Sequence, residues 1–83
     1  MDLKQIAQTA VEEAAEELKK ETDAAKVDEA IRVIDAVNMI AGVVENAIKD
    51  IGKTPEELGE EAVKEIAKNS AKAAISEGIK KLQ

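Results

Sequence analysis

The sequence of 83 residues contains no cysteine, no histidine and no aromatic residue, and only one proline and four glycines. Without cysteine there can be no disulfide framework, no thiolate nucleophile and no soft metal ligand. Without histidine the chain lacks the commonest general base and the commonest ligand of transition metals. Without aromatic side chains it has no surface on which nucleic-acid bases could stack. These absences argue against most catalytic, metal and nucleic-acid chemistry.

Positive charge is also scarce, because 12 basic residues face 18 acidic ones and the formal net charge is −6. Such a charge disfavours nucleic acids and anionic membranes as partners. The longest strongly apolar stretch, Ala36 to Val44, contains Asn38 and is too short to span a bilayer. The segment from Met1 to Gln5 lacks the basic and apolar regions of a signal peptide. We therefore expect no nucleic-acid or membrane partner and a cytoplasmic location, in a natural cell or in a recombinant host.

What the chain does contain is a large aliphatic set, since 45% of its residues are hydrophobic and 15 of these are alanine. A chain of this length buries only about 60–65% of the surface that its unfolded form exposes. Its core must therefore gain contacts from the close approach of backbones that carry small side chains. We expect a single helical-bundle domain over residues 1–83.

Local signals place one loop with clarity, directly after Ile51. Gly52 stands where the residue after a helix needs a left-handed conformation. Thr54 is suited to the N-cap, Pro55 to the first helical position, and Glu57 completes a Thr-x-x-Glu capping box. One helix is predicted to end near Ile51 and another to begin at Pro55.

The first predicted helix, 2–21, is amphipathic, with its glutamates opposite an apolar stripe. After it, residues 22–26 interrupt the stripe without glycine or proline. They form either a turn capped by Thr22, Asp23 or the later Asp28, or part of one long helix from 2 to 51. The long helix would require a partner chain, because it could not fold back on itself.

The second predicted helix, 24–51, carries an unbroken heptad repeat, in which every a and d position is apolar. Its middle, from Ala36 to Val44, is apolar almost all round, which is typical of a helix that is central in its bundle or shared with another subunit. We expect five seam residues to be buried, and Met39 and Val43 to face another subunit. The a and d residues are Val27, Ala30, Ile34, Val37, Ala41, Val44, Ile48 and Ile51, and the five expected to be buried run from Ile34 to Ile48.

In the third predicted helix, 55–82, the large apolar residues change sides along its length, with a strip of small residues between them. An unbroken helix that meets different neighbours at its two ends is the favoured interpretation. The alternative is a break at Asn69-Ser70, which would give four helices. The fold prediction is thus an all-α three-helix bundle, or four helices with that break, associating into a larger bundle. The strip within it, Ser70-x3-Ala74-x3-Gly78, fits close packing of two backbones, inside the chain or between subunits.

The first helix offers the strongest candidates for metal or acid-base chemistry, in the i,i+4 carboxylate pairs of Glu12, Glu13, Glu16 and Glu17. Dimetal carboxylate bundles place such glutamates on inward faces and add Glu-x-x-His motifs. Here they fall opposite the apolar stripe, which favours a solvated helix face. The hydroxyls of Thr9, Ser70 and Ser76 have no base to activate them. We predict no enzyme activity, no catalytic, cofactor-binding or metal-ligating residue, and no small-molecule ligand.

Charge is arranged with unusual regularity. Five i,i+4 pairs have the acid first, which is the favourable orientation: Glu16/Lys20, Asp28/Arg32, Glu45/Lys49, Glu60/Lys64 and Glu77/Lys81. The third helix begins with glutamates and ends with lysines, which complements its macrodipole. Natural sequences usually break such rules at a functional site. In these features the chain resembles a de novo designed helical bundle, which implies that its purpose is the fold or the assembly.

We therefore expect a structural protein that forms a homo-oligomer, with a closed two-fold dimer favoured. The alternative is a small natural interaction module that binds a partner helix in an apolar groove.

Overall fold

The computed structural model describes residues 1–82, which are 88% helical and contain no strand. The all-α prediction is confirmed. Five helices follow one another: α1 (Leu3–Glu21), α2 (Ala24–Val33), α3 (Ala36–Ile51), α4 (Pro55–Leu58) and α5 (Glu60–Leu82). The second and third predicted helices are each divided in two, so the structure has more helices than the three predicted.

The molecule measures 39 × 19 × 16 Å, and its long helices lie along the longest dimension. The amino nitrogen of Met1 lies 3.4 Å from Oε1 of Glu56 in α4, and Glu17 near the end of α1 reaches Lys68 in α5. Helix α5 therefore runs parallel to α1, and α2 and α3 run in the opposite direction. Helices α1, α3 and α5 pack against one another, while α2 packs on α1 and α5.

The break between α1 and α2 is a turn, and the single long helix over 2–51 is wrong. Thr22 is fully extended, with φ −147° and ψ 179°. The cap of α2 is Asp23, whose Oδ1 accepts a hydrogen bond from the backbone N–H of Ala25 at 2.9 Å. The first helix is capped in the same way, by Asp2.

The predicted capping box at the start of α4 is confirmed. The N–H of Thr54 donates to Oε1 of Glu57 at 2.9 Å, and the N–H of Glu57 donates to Oγ1 of Thr54 at 3.2 Å. Gly52 is left-handed, with φ 82° and ψ 25°. Helix α4 ends after one turn, at Gly59, and α5 begins at the next residue. Gly59 has φ 91° and ψ 151°, a conformation that essentially only glycine adopts. No break occurs at Asn69-Ser70, where α5 continues.

The predicted second helix is divided at Ile34 and Asp35. Asp35 has φ 51° and ψ 59°, and in residues 1–82 it is the only non-glycine residue with positive φ. At the end of α2, the N–H of Ile34 donates a hydrogen bond to the carbonyl of Ala30 at 3.0 Å. At the start of α3, the carbonyl of Asp35 accepts a hydrogen bond from the N–H of Met39 at 3.0 Å. Aspartate tolerates this left-handed conformation better than most residues do.

This division changes which face of α3 is buried. Its core row has a spacing of four and consists of Ala36, Ile40, Val44 and Ile48. Two of the five expected seam residues, Val44 and Ile48, are buried, but for the other three the prediction is wrong, since Ile34, Val37 and Ala41 are only half-buried. Ile51, at the end of the heptad pattern, is 53% exposed. The buried residues of α2 follow the heptad pattern and those of α3 a spacing of four, so the buried pattern changes where Asp35 divides the two helices.

Candidate functional site

Three of the four candidate glutamates of α1 lie on the solvated outer face of the helix, as expected, and for the fourth, Glu17, that expectation is wrong. Glu12, Glu13 and Glu16 are exposed, whereas Glu17 is half-buried and faces α5. Within residues 1–82 no group of three or more acidic, histidine or cysteine side chains could hold a metal ion. The carboxylate pairs of the sequence are therefore not brought together with further metal ligands.

Glu17 instead bridges two lysines of α5. Its Oε1 accepts a hydrogen bond from Nζ of Lys68 at 2.9 Å, and its Oε2 pairs with Nζ of Lys72. The hydrogen bonds from Lys72 and Lys68 lower the pKa of Glu17 to about 2, and Glu17 raises the pKa of Lys68. A carboxylate that stays ionised at neutral pH cannot serve as a general acid there. In the structure it joins the two helices electrostatically.

One cavity, about 850 Å³, is a groove between α1 and α5. Its walls carry charges of both signs, including Glu13, Glu61 and Lys64. Thr9 lies in this groove, but the neighbouring Lys64 has its pKa raised by a hydrogen bond to Glu60. An ammonium held in its charged form cannot activate a hydroxyl. Lys64 in this form is therefore not a base for the hydroxyl of Thr9.

The other two candidate hydroxyls are those of Ser70 and Ser76, which are half-buried within α5. Since α5 continues through Ser70, this residue is no helix cap. The small strip around it ends at Gly78, which packs against Ala30 of α2. At Gly78 the strip thus serves a contact inside the chain.

A second cavity, about 600 Å³, separates α1 from the α2–α3 segment. Its floor includes Val11 and Ala15, which are both buried, and one rim carries an ion pair of 2.8 Å between Lys19 and Asp28. The half-buried Ile31 and Val37 also line this groove, together with charged residues such as Glu12, so its lining is mixed rather than apolar.

The exposed apolar residues concentrate on α3. Met39 and Val43 are each 42% exposed and Ile51 is 53% exposed, with the half-buried Ala47 between them. We call these four residues, which are spaced by four, the α3 ridge. It runs beside the buried row of the same helix. Val33, at the end of α2, is 64% exposed.

Among residues 1–82 no helix is both long and apolar enough to cross a membrane. A scan against protein-family models found no match, and searches of curated proteins and of solved structures found none. The arrangement of this chain's own residues is therefore the basis for a functional proposal.

Proposed function

We propose that this protein is a structural helical bundle, designed in character, which self-associates and whose purpose is the fold and its assembly rather than catalysis. The observation that carries the proposal is the α3 ridge. Isolated exposed aliphatic residues are ordinary on protein surfaces. A row along one helix, however, makes a continuous patch, and such patches commonly mark sites of association.

The rest of the chain supports a structural role. No polar or charged residue among those described is buried, and no buried side-chain nitrogen or oxygen atom among them lacks a hydrogen-bond partner. Two of the acid-first pairs form ion pairs of 3.2 Å, Glu45 with Lys49 and Glu60 with Lys64. Local charge, caps and packing agree with one another, as is typical of sequences composed for their fold.

Solution mass tests the proposal. Because the chain has no tryptophan or tyrosine, concentration must be followed by refractive index, coupled to light scattering. We expect the mass to rise from the 8.9 kDa of one chain towards twice that value as concentration increases to the high micromolar range. A chain that keeps the monomer mass throughout would contradict self-association.

A further inference from the structure

We infer that the α3 ridge docks on the α3 ridge of a second copy, in an antiparallel arrangement with the two-fold axis near Val43. The inference rests on the proposed self-association and adds which face associates and in which direction. Three properties of α3 carry it: the spacing of its apolar residues, the distribution of its charges and the glycine at its centre.

The spacing fits a ridge that packs against its own copy. Rows of residues four apart form the ridges by which helices pack. Val43 is the midpoint between Met39 and Ala47, so a two-fold axis at Val43 sets Met39 of each copy opposite Ala47 of the other. A long side chain then faces a short one at both ends of this three-residue contact, and Ile51, the fourth residue of the ridge, lies beyond it, near Asp35 of the other copy. A parallel pair would instead set Met39 against Met39 and Ala47 against Ala47.

The helix dipoles and one pair of exposed charges favour the antiparallel direction, while Arg32 near Asp35 and Asp50 near Lys53 add an exposed charge of the opposite sign at each end. Asp35 precedes the first turn of α3 and Lys53 follows its last turn, and both are exposed. Neither takes part in an ion pair within residues 1–82. In an antiparallel pair each aspartate lies at the end that carries the lysine of the other copy, and the two helix dipoles oppose each other favourably. In a parallel pair like charges would meet at both ends.

The centre of the ridge is bordered by Gly42, whose presence the single chain does not explain. A Cβ atom built on Gly42 would meet nothing within 4 Å. Glycine inside a helix lowers the stability of the helix relative to alanine. At Gly42 no close contact within the chain compensates for that loss. Beside Val43, the missing side chain lets a second helix approach closely.

The size of the ridge sets the expected strength. Helix α3 has 16 residues and is about 24 Å long. One face of such a helix supplies only a few hundred Å², well below the roughly 800 Å² that each partner buries in a standard interface. We therefore expect a weak dimer that dissociates on dilution through the micromolar range, rather than an obligate one.

Single-cysteine variants test the arrangement, because the chain has no cysteine of its own. In Val43→Cys the two thiols lie near the axis, within reach of a disulfide. We expect mild oxidation to yield severalfold more covalent dimer than in Glu45→Cys, an exposed control on the same helix but off the ridge. In an equimolar mixture of Met39→Cys and Ala47→Cys, the mixed disulfide should exceed both like-with-like products. Mass spectrometry quantifies the products, and far-UV circular dichroism verifies the fold.

The outcomes separate the two proposals. A wild-type chain that stays monomeric overturns the proposed function, and the docking with it. A wild-type dimer in which Val43→Cys cross-links no better than Glu45→Cys overturns the docking alone. An excess of the Met39→Cys homodimer over the mixed product overturns the antiparallel direction.

Discussion

Gly78 of α5 lies so close to Ala30 of α2 that a Cβ atom built on Gly78 would be 3.2 Å from the Ala30 Cβ. The same added atom would be 3.4 Å from Cγ2 of Ile34. Ala30 is completely buried. The end of α5 therefore rests directly on α2, and the absence of a side chain at residue 78 sets their distance.

Gly42 and Gly78 both lie inside helices, but only Gly78 is packed closely against another helix, so the two positions should respond differently to alanine. Gly42→Ala should stabilise the monomer by about 1 kcal/mol, because alanine favours the helix and its Cβ finds open space. Gly78→Ala should give no net gain, since overpacking typically costs about 1–3 kcal/mol. Denaturant unfolding followed by far-UV circular dichroism, at concentrations where the monomer dominates, measures both. Equal stabilisation at the two sites would contradict the close packing of Gly78.

The left-handed conformation of Asp35 leads to opposite predictions for two small substitutions. Asp35→Gly should stabilise the fold by about 0.5–1 kcal/mol, because glycine adopts positive φ without steric cost. Asp35→Ala should destabilise it by about 1 kcal/mol, because alanine disfavours this conformation. The free energies of unfolding of the two variants are compared with that of the wild type. Stabilisation by alanine would mean that α2 and α3 prefer to form one continuous helix.

The buried row of α3 is tested by two isoleucines three residues apart. Ile48 is 2% exposed and Ile51 is 53% exposed. Truncation of Ile48 to alanine should cost about 2–4 kcal/mol, as is usual for core positions. Truncation of Ile51 should change stability by less than about 0.5 kcal/mol in the monomer. Similar losses at both positions would indicate that the heptad register, with Ile51 inside, is correct after all.

The ion bridge of Glu17 predicts a pH dependence of stability. Its pKa is lowered from 4.5 to about 2 in the folded chain, so the folded state favours the ionised carboxylate. The stabilisation is therefore fully present above pH 4.5 and is lost as the pH falls towards 2. Because the site is partly exposed, salt should weaken it.

Glu17→Gln removes this dependence. The difference in unfolding free energy between wild type and Glu17→Gln should be largest above pH 4.5 and should shrink towards pH 2. The control is Glu12→Gln, an exposed residue of the same helix with no ion pair among residues 1–82. A difference for Glu17→Gln that does not change over this pH range would show that the bridge does not form in solution.

Local chemistry in the sequence was sufficient for several features of the fold. Interactions within a few residues determine the capping box of Thr54 and Glu57 and the left-handed conformation of Gly52. These features could therefore be predicted without knowledge of the tertiary structure. The helical class and the outer position of Glu12, Glu13 and Glu16 follow from periodicity over a whole segment. Self-association and designed origin remain predictions.

The tertiary structure decided three features. It divided the predicted 24–51 helix at Asp35, and it brought Glu17 to Lys68, a contact between residues 51 positions apart. It also determined that Ile40, rather than Ala41, lies in the core. A left-handed aspartate carries a local cost, so local propensity favours a continuous helix. Only packing of α3 against α1 and α5 can offset that cost, and packing depends on the whole chain at once.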